Sequence, residues 1–389
     1  MLRTPLHVPM TGRSPTELHR AATPLELFFD LVFVVALARA AAVLHHAIAE
    51  GHASDGVITY AMAFFGIWLA WMNFTWFASA YDTDDVPYRL LVFLQMTGAL
   101  VLAAGVGDAF ARQDFRLGVL GYVLMRVAMV AQWLRAAHQD PGHRVTARRF
   151  ALGIGVVQVA WVAFLAAPAG AKVPLFAALA ILELMIPVWA ERARATSWHP
   201  HHIAERYGLF VIIVLGESVL AGSLAIEAVV GGSGLTLDLL AVIGGALLIM
   251  FSMWWLYFDA APTMLLRSFR GAFLWGYGHF VVLGSAAAVG AGIAVAADFT
   301  TDHAHISRLA AGMAVAVPVA CYIASLWLLH VLAGEHDATV WWMPVAIVLV
   351  LLAPLAGPAP LVVGAILTCL IGLKLLRQQH SRHAQSATP

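Results

Sequence analysis

Charge is what this sequence has least of. Only 11% of its 389 residues are Asp, Glu, Lys or Arg, against about 25% in an ordinary soluble domain. The 22 basic and 22 acidic residues cancel. No basic block stands out, which excludes a nucleic-acid-binding surface and a nucleic-acid partner. Cysteine is nearly missing. Cys321 and Cys369 both sit within apolar runs, so neither a disulfide framework nor the paired CxxC of a zinc site is present. No GK[ST] triplet occurs, which removes a Walker A loop and ATP-driven pumping by this chain. HExxH is also absent, and the stretch Gly216-Glu217-Ser218-Val219-Leu220 lacks the closing glycine of a nucleophile elbow.

What is abundant is apolar residue, at 61% of the chain. A bilayer core needs roughly 20 consecutive apolar residues per helix, and only helices or closed barrels satisfy their backbone there. The runs are continuous rather than alternating. They predict an all-α, polytopic helical membrane protein with about twelve spans. These lie near 25–46, 57–79, 88–110, 116–136, 148–167, 172–190, 204–226, 236–258, 272–297, 307–331, 340–356 and 359–377. The first ten are clear. The last two are short, and Pro354, Pro358 and Pro360 between them leave a re-entrant pair as the alternative.

Residues 1–24 are polar and carry no apolar core before a small-residue cleavage site, so they read as a cytoplasmic tail rather than a secretory signal. Basic residues set the orientation. With the N-terminus inside, the outer segments hold only Arg112, Arg116, Lys172 and Arg308, and most other Lys and Arg fall inside. Both termini are therefore expected in the cytoplasm.

The two halves resemble each other. Glu26-Leu27-Phe28-Phe29 opens the first span and Glu205-Arg206-Tyr207-Gly208 the seventh. An aromatic cluster ending at Tyr81–Asp82 matches one ending at Phe258–Asp259, and Arg89 matches Arg270. This predicts a parallel six-plus-six repeat, a plan known among transporters. The boundaries are a tail at 1–24, a first six-helix repeat at 25–190, a cytoplasmic linker at 191–203, a second repeat at 204–377 and a C-terminal tail at 378–389.

Charges within a bilayer are costly, so each is a functional candidate. Glu26 and Asp30 are four residues apart and share a helix face. Two carboxylates so close resist double ionisation, which suits a proton relay or a cation site. Thr23, Pro24 and Glu26 also fall at N-cap, N1 and N3, so a capping box explains Glu26 without function. Arg39 lies on another face and is expected to pair with another helix. Glu217 falls near mid-bilayer, where it must be protonated or paired, and Arg126 is a candidate partner. Gly216, Ser218 and Gly222 surround it, and Ser218-x-x-x-Gly222 is a face for close helix contact. His199, His201, His202 and Glu205, and the outer group Asp298, Asp302, His303 and His305, contain metal-ligating types, but their spacing matches no established signature. No metal or cofactor is expected. Gln95, Gln158, Glu183 and His279 read as interhelical hydrogen bonds.

The motifs E-L-F-F-D-L-V-F (26–33), H-x-x-E-R-Y-G-L-F (202–210) and I-V-L-G-E-S-V-L (213–220) closely resemble the bacterial low temperature requirement protein A (LtrA) family, over about residues 20–380. The resemblance implies a multi-pass protein of the bacterial inner membrane. It supports Glu26, Asp30, His202, Glu205, Arg206, Gly216, Glu217 and Ser218 as site residues and supplies no substrate. The expected function is a proton- or cation-coupled secondary transporter of a small solute. Asp30, Glu217 and Glu26 would couple the ion, and the partners would be the lipid bilayer and the solute or proton. The alternatives are a membrane-embedded enzyme acting on a lipid through His202, Glu205 and Arg206, a channel, or a membrane protein that transports nothing.

Overall fold

In the computed structural model, which describes residues 5–18, 20–232, 236–259, 263–334 and 340–386, every expected span lies on a helix and there is no strand among the described residues. The helices are α1 (Pro24–Ala49), α2 (Ala53–Tyr81), α3 (Val86–Arg112), α4 (Arg116–Gln139), α5 (Arg144–Phe164), α6 (Ala169–Glu191), α7 (Pro200–Gly232), α8 (Leu237–Asp259), α9 (Phe269–Thr300), α10 (Arg308–Leu332), α11 (Trp342–Leu352) and α12 (Ala359–Ser386). Ten stretches among the described residues are long and apolar enough to cross a membrane. The short eleventh span is resolved into α11 and a 3-10 turn at Ala353–Leu355, just before Gly357 and Pro358 break the chain. In α12 the stretch Ala359–His380 is long enough to span alone.

The chain forms two units. The first comprises Met1–Val43 and Ile58–Phe210, and the second Leu44–Val57 and Val211–Pro389. The division falls within α7, after Phe210, rather than between two helices.

In the first unit α3 and α4 cross where neither carries a side chain. A Cβ on Gly98 would sit 2.6 Å from the Gly121 carbonyl, and one on Gly121 would sit 2.4 Å from the Gly98 carbonyl. Such contacts through small residues hold helices together where lipid offers no hydrophobic drive. At the other end of these helices the polar N-terminal segment is tied down. Val8 donates to Asp85 Oδ2 (2.8 Å), Met10 to Gln139 Oε1 (2.7 Å) and Arg13 to the Ala80 carbonyl (2.9 Å). Met10 is fully buried. Asp85 also caps α3 and pairs with Arg135 at 2.5 Å. Burial pushes its carboxyl up, but Arg135 and the backbone donors of Val8 and Tyr88 outweigh this and hold it at about 2.

The second unit centres on α9, rich in Gly and Ala and buried along most of its length. A Cβ on Gly292 would lie 2.1 Å from the Ala314 carbonyl, which sets the close approach of α10. Ser218 of α7 meets Gly290 of α9 in the same way, with a Cβ there only 2.9 Å from Ser218 Oγ. The expected small-residue face on α7 is thus used at Ser218. The surroundings of Gly222 lie outside the described residues.

Candidate functional site

The site begins with a helix start. Thr23 accepts from the Glu26 amide (3.3 Å), and Glu26 Oε2 accepts from the Thr23 amide (2.7 Å), with Pro24 between them. This is the expected capping box. It fixes Glu26 at the first turn of α1 and places Asp30 one turn further along the same face. His202 and Arg206 repeat this spacing on α7. The contacts join Glu26 to His202 and Asp30 to Arg206, both at a sequence separation of 176. A constant separation means that α1 and the start of α7 run side by side in the same direction.

Arg206 clamps both acids. Its Nη2 lies 2.5 Å from Asp30 Oδ1 and its Nε 3.3 Å from Oδ2, while Nη1 lies 3.1 Å from Glu26 Oε1. The forked guanidinium suits such bidentate capture. Trp71 Nε1 donates to Asp30 Oδ1 at 2.7 Å, and the Trp71 ring stacks on Phe210 with centroids 4.2 Å apart. His202 Nε2 is 3.2 Å from Glu26 Oε1. All four ionisable side chains are at most 1% exposed. The repulsion between Glu26 and Asp30 is therefore answered by a cation within 4 Å of each.

The network extends to two residues that the sequence reading did not single out as site residues. Arg20, from the chain just before α1, places Nη2 3.6 Å from Glu26 and 3.5 Å from Asp82, in the turn after α2. Within the cluster, His202 Nδ1 is enclosed without a hydrogen-bond partner, and Arg206 Nη1 meets Glu26 as an ion pair without a hydrogen bond. Three acids meet two guanidiniums here, so the cluster carries one negative charge until a proton joins it. Burial, reinforced by the Glu26 carboxylate and opposed by Arg20, pushes Asp82 up to about 6.

This has a measurable sign. The unfolded chain loses the Asp82 proton near 3.8 and the fold keeps it to about 6. The stability contributed by this group is thus fully present below pH 3.8 and lost as pH rises through about 6, a change of about 3 kcal/mol. Unfolding in mixed micelles at pH 4 and pH 7 should show the wild type declining by about 2 kcal/mol relative to Asp82→Asn, part of the effect being absent already at pH 4. Equal slopes would remove Asp82 from the account.

A second buried pair was expected only as hydrogen bonding. Arg126 Nη2 lies 2.9 Å from Glu183 Oε2, and Tyr122 Oη and Trp161 Nε1 both donate to Glu183 Oε1 at 3.1 Å. Arg126 is therefore spent on Glu183 and is not the partner of Glu217. Glu217 is half-buried and has no charged neighbour acting on it among the described residues. Gly216 beside it is exposed, with open space where a Cβ would point. Glu205 is half-buried, and its Oε2 is enclosed without a hydrogen-bond partner. Arg39 departs from expectation. It is exposed and makes no ion pair among the described residues, because the nine residues from Asp30 turn it to the opposite side of α1.

No group of three or more His, Cys, Asp or Glu able to hold a metal occurs among the described residues. His199 instead contacts the Glu17 carbonyl (3.0 Å), and Asp298 pairs with His45 (2.6 Å).

Comparison with known proteins covers nearly the same stretch as the resemblance at about residues 20–380. The family model described as bacterial low temperature requirement A protein (LtrA) matches residues 21–376. An uncharacterized protein of Rhizobium meliloti (strain 1021) is 28% identical over 320 residues, which covers 76% of this chain and 73% of that protein.

Proposed function

The chain belongs to the bacterial low temperature requirement A (LtrA) family, and on that premise we propose that it is a proton-coupled secondary transporter of a small solute in the bacterial inner membrane, with both termini cytoplasmic. Glu217 carries this reading. It is the eighteenth residue of a 33-residue helix, so about 25 Å of α7 precedes it at 1.5 Å per residue. Among the described residues α7 is not one of the ten stretches long and apolar enough to cross a membrane, so the mid-bilayer depth of Glu217 is part of this proposal and rests on the apolar run at 204–226. Glu26, Asp30 and Glu183 at comparable cost are all clamped by arginine. A carboxyl left without such a partner at that depth is protonated or faces water or solute.

The buried cluster has a different part. Glu26, Asp30, His202 and Arg206 hold α1 parallel to the start of α7, as corresponding helices of a parallel repeat would stand. Asp82 lets the cluster take a proton. A lipid-directed enzyme is less well supported, because His202 and Arg206 are fully buried and already engaged. The test is solute uptake driven by an imposed pH gradient, with the full chain in proteoliposomes and a mixture of bacterial metabolites as the probe. Wild type and Glu217→Gln are compared. Coupled uptake that Glu217→Gln abolishes supports the reading. Uptake unchanged in that variant removes Glu217 as the coupling site, and no uptake by the wild type removes transport.

A further inference from the structure

Near the ends where α3 meets α4, the first unit contains an apolar slot of about 80 Å³. Its walls include Phe65, Phe115, Tyr122, Trp161, Phe164 and Phe176. Two of these aromatic residues have polar ends, and both ends are spent elsewhere. Tyr122 Oη and Trp161 Nε1 donate to Glu183, so only their ring surfaces are left for the slot. Along α4 the lining runs from Phe115 to Tyr122, about 10 Å of depth at 1.5 Å per residue.

The rim is basic. Lys172, at the start of α6, sits with Nζ 5.1 Å from the Phe115 ring centre and 2.7 Å from the Gln113 carbonyl. It has no carboxylate partner among the described residues. Arg116 directly follows Phe115 and is 83% exposed, with only a loose 3.7 Å contact to Asp114. Both cations stand at helix ends, the level of lipid headgroups in a spanning bundle. An apolar slot with cations beside its lining residue Phe115 matches one class of ligand, since basic residues at membrane-facing pockets select anionic headgroups.

We propose that this slot seats a short stretch, a few methylenes long, of one acyl chain of an anionic phospholipid, with Lys172 and Arg116 holding its phosphate. The glycines supply a clean test. Gly118 lines the slot and has nothing within 4 Å of where its Cβ would point. A leucine there is added to the slot's wall without striking the backbone. Gly107 also has open space at its Cβ but is not among the lining residues, and serves as control.

The full chain is placed in nanodiscs of equal phosphatidylglycerol and phosphatidylcholine, released into detergent, and its retained lipids are counted by native mass spectrometry. The wild type should retain phosphatidylglycerol in preference. Lys172→Ala with Arg116→Ala should lower that preference at least about fivefold, the effect of removing roughly one basic contact. Gly118→Leu should lose retained lipid of both kinds while Gly107→Leu keeps it, and all variants should melt like the wild type. A wild type that retains both lipids equally, a basic-rim variant with unchanged preference, or a Gly118→Leu variant that still holds lipid would each overturn the proposal.

Discussion

Arg206→Met should cost about 3–5 kcal/mol of stability, because it leaves two buried carboxylates without their cation. Arg206 is fully buried and within 3.1 Å of both Glu26 and Asp30. Removing it exposes the full price of having taken both charges out of water. His202 and Arg20 remain near Glu26, but Asp30 keeps only Trp71. The loss arises from uncompensated charge rather than from lost packing, so a neutralised triple variant separates the two causes. Glu26→Gln preserves the capping box, since glutamine at N3 serves as well as glutamate. Asp30→Asn keeps an acceptor for Trp71. Combined with Arg206→Met, these changes should restore most of the stability, as replacing a whole buried ion cluster commonly does. Unfolding of purified protein in mixed micelles measures all of them. A triple variant as unstable as Arg206→Met alone would mean that the arginine acts through its shape.

Glu217→Gln should behave in the opposite way. No ion pair is broken, because none is made among the described residues, and the amide is close in size. Stability should stay within about 0.5 kcal/mol of the wild type, as for substitutions away from special features. Coupled uptake should nevertheless fall by at least about tenfold, because an amide cannot exchange a proton at any accessible pH; tenfold corresponds to only about 1.4 kcal/mol of lost coupling. Two ionisable residues of α7, Arg206 and Glu217, would thus separate cleanly. One is structural and intolerant, the other dispensable for folding and required for flux.

That separation was only partly legible in the amino-acid sequence. Apolar runs located the helices because lipid imposes length and continuity on them. The Thr23–Glu26 cap was readable because capping is local. The i, i+4 pairs Glu26/Asp30 and His202/Arg206 were each visible, but their register against one another was not, since it depends on which helices become neighbours. Without that register Glu26 and Asp30 read as a mutually repelling pair, and Arg206 as a group at the membrane surface. Arg20 and Asp82 joined the cluster through the path of the chain before α1 and the turn after α2, which no periodicity reports. Trp71 stood in a conspicuous aromatic cluster whose packing partners Asp30 and Phe210 lie far off in sequence. Arg126 was offered to Glu217 because both lacked a partner. Glu183, two helices away from Arg126, had already answered that need.

The most direct measurement is chemical. A hydrophobic carbodiimide partitions into the bilayer and reacts with protonated carboxyls there, and peptide mass spectrometry locates the adduct. Treated in membranes at pH 6 to 7, the full chain should be modified at Glu217, less so as pH rises, and should remain unmodified at Glu26, Asp30 and Glu183. An adduct on Asp30 or Glu26 with none on Glu217 would contradict the assignment of the free and the clamped carboxyls on which the transport reading rests.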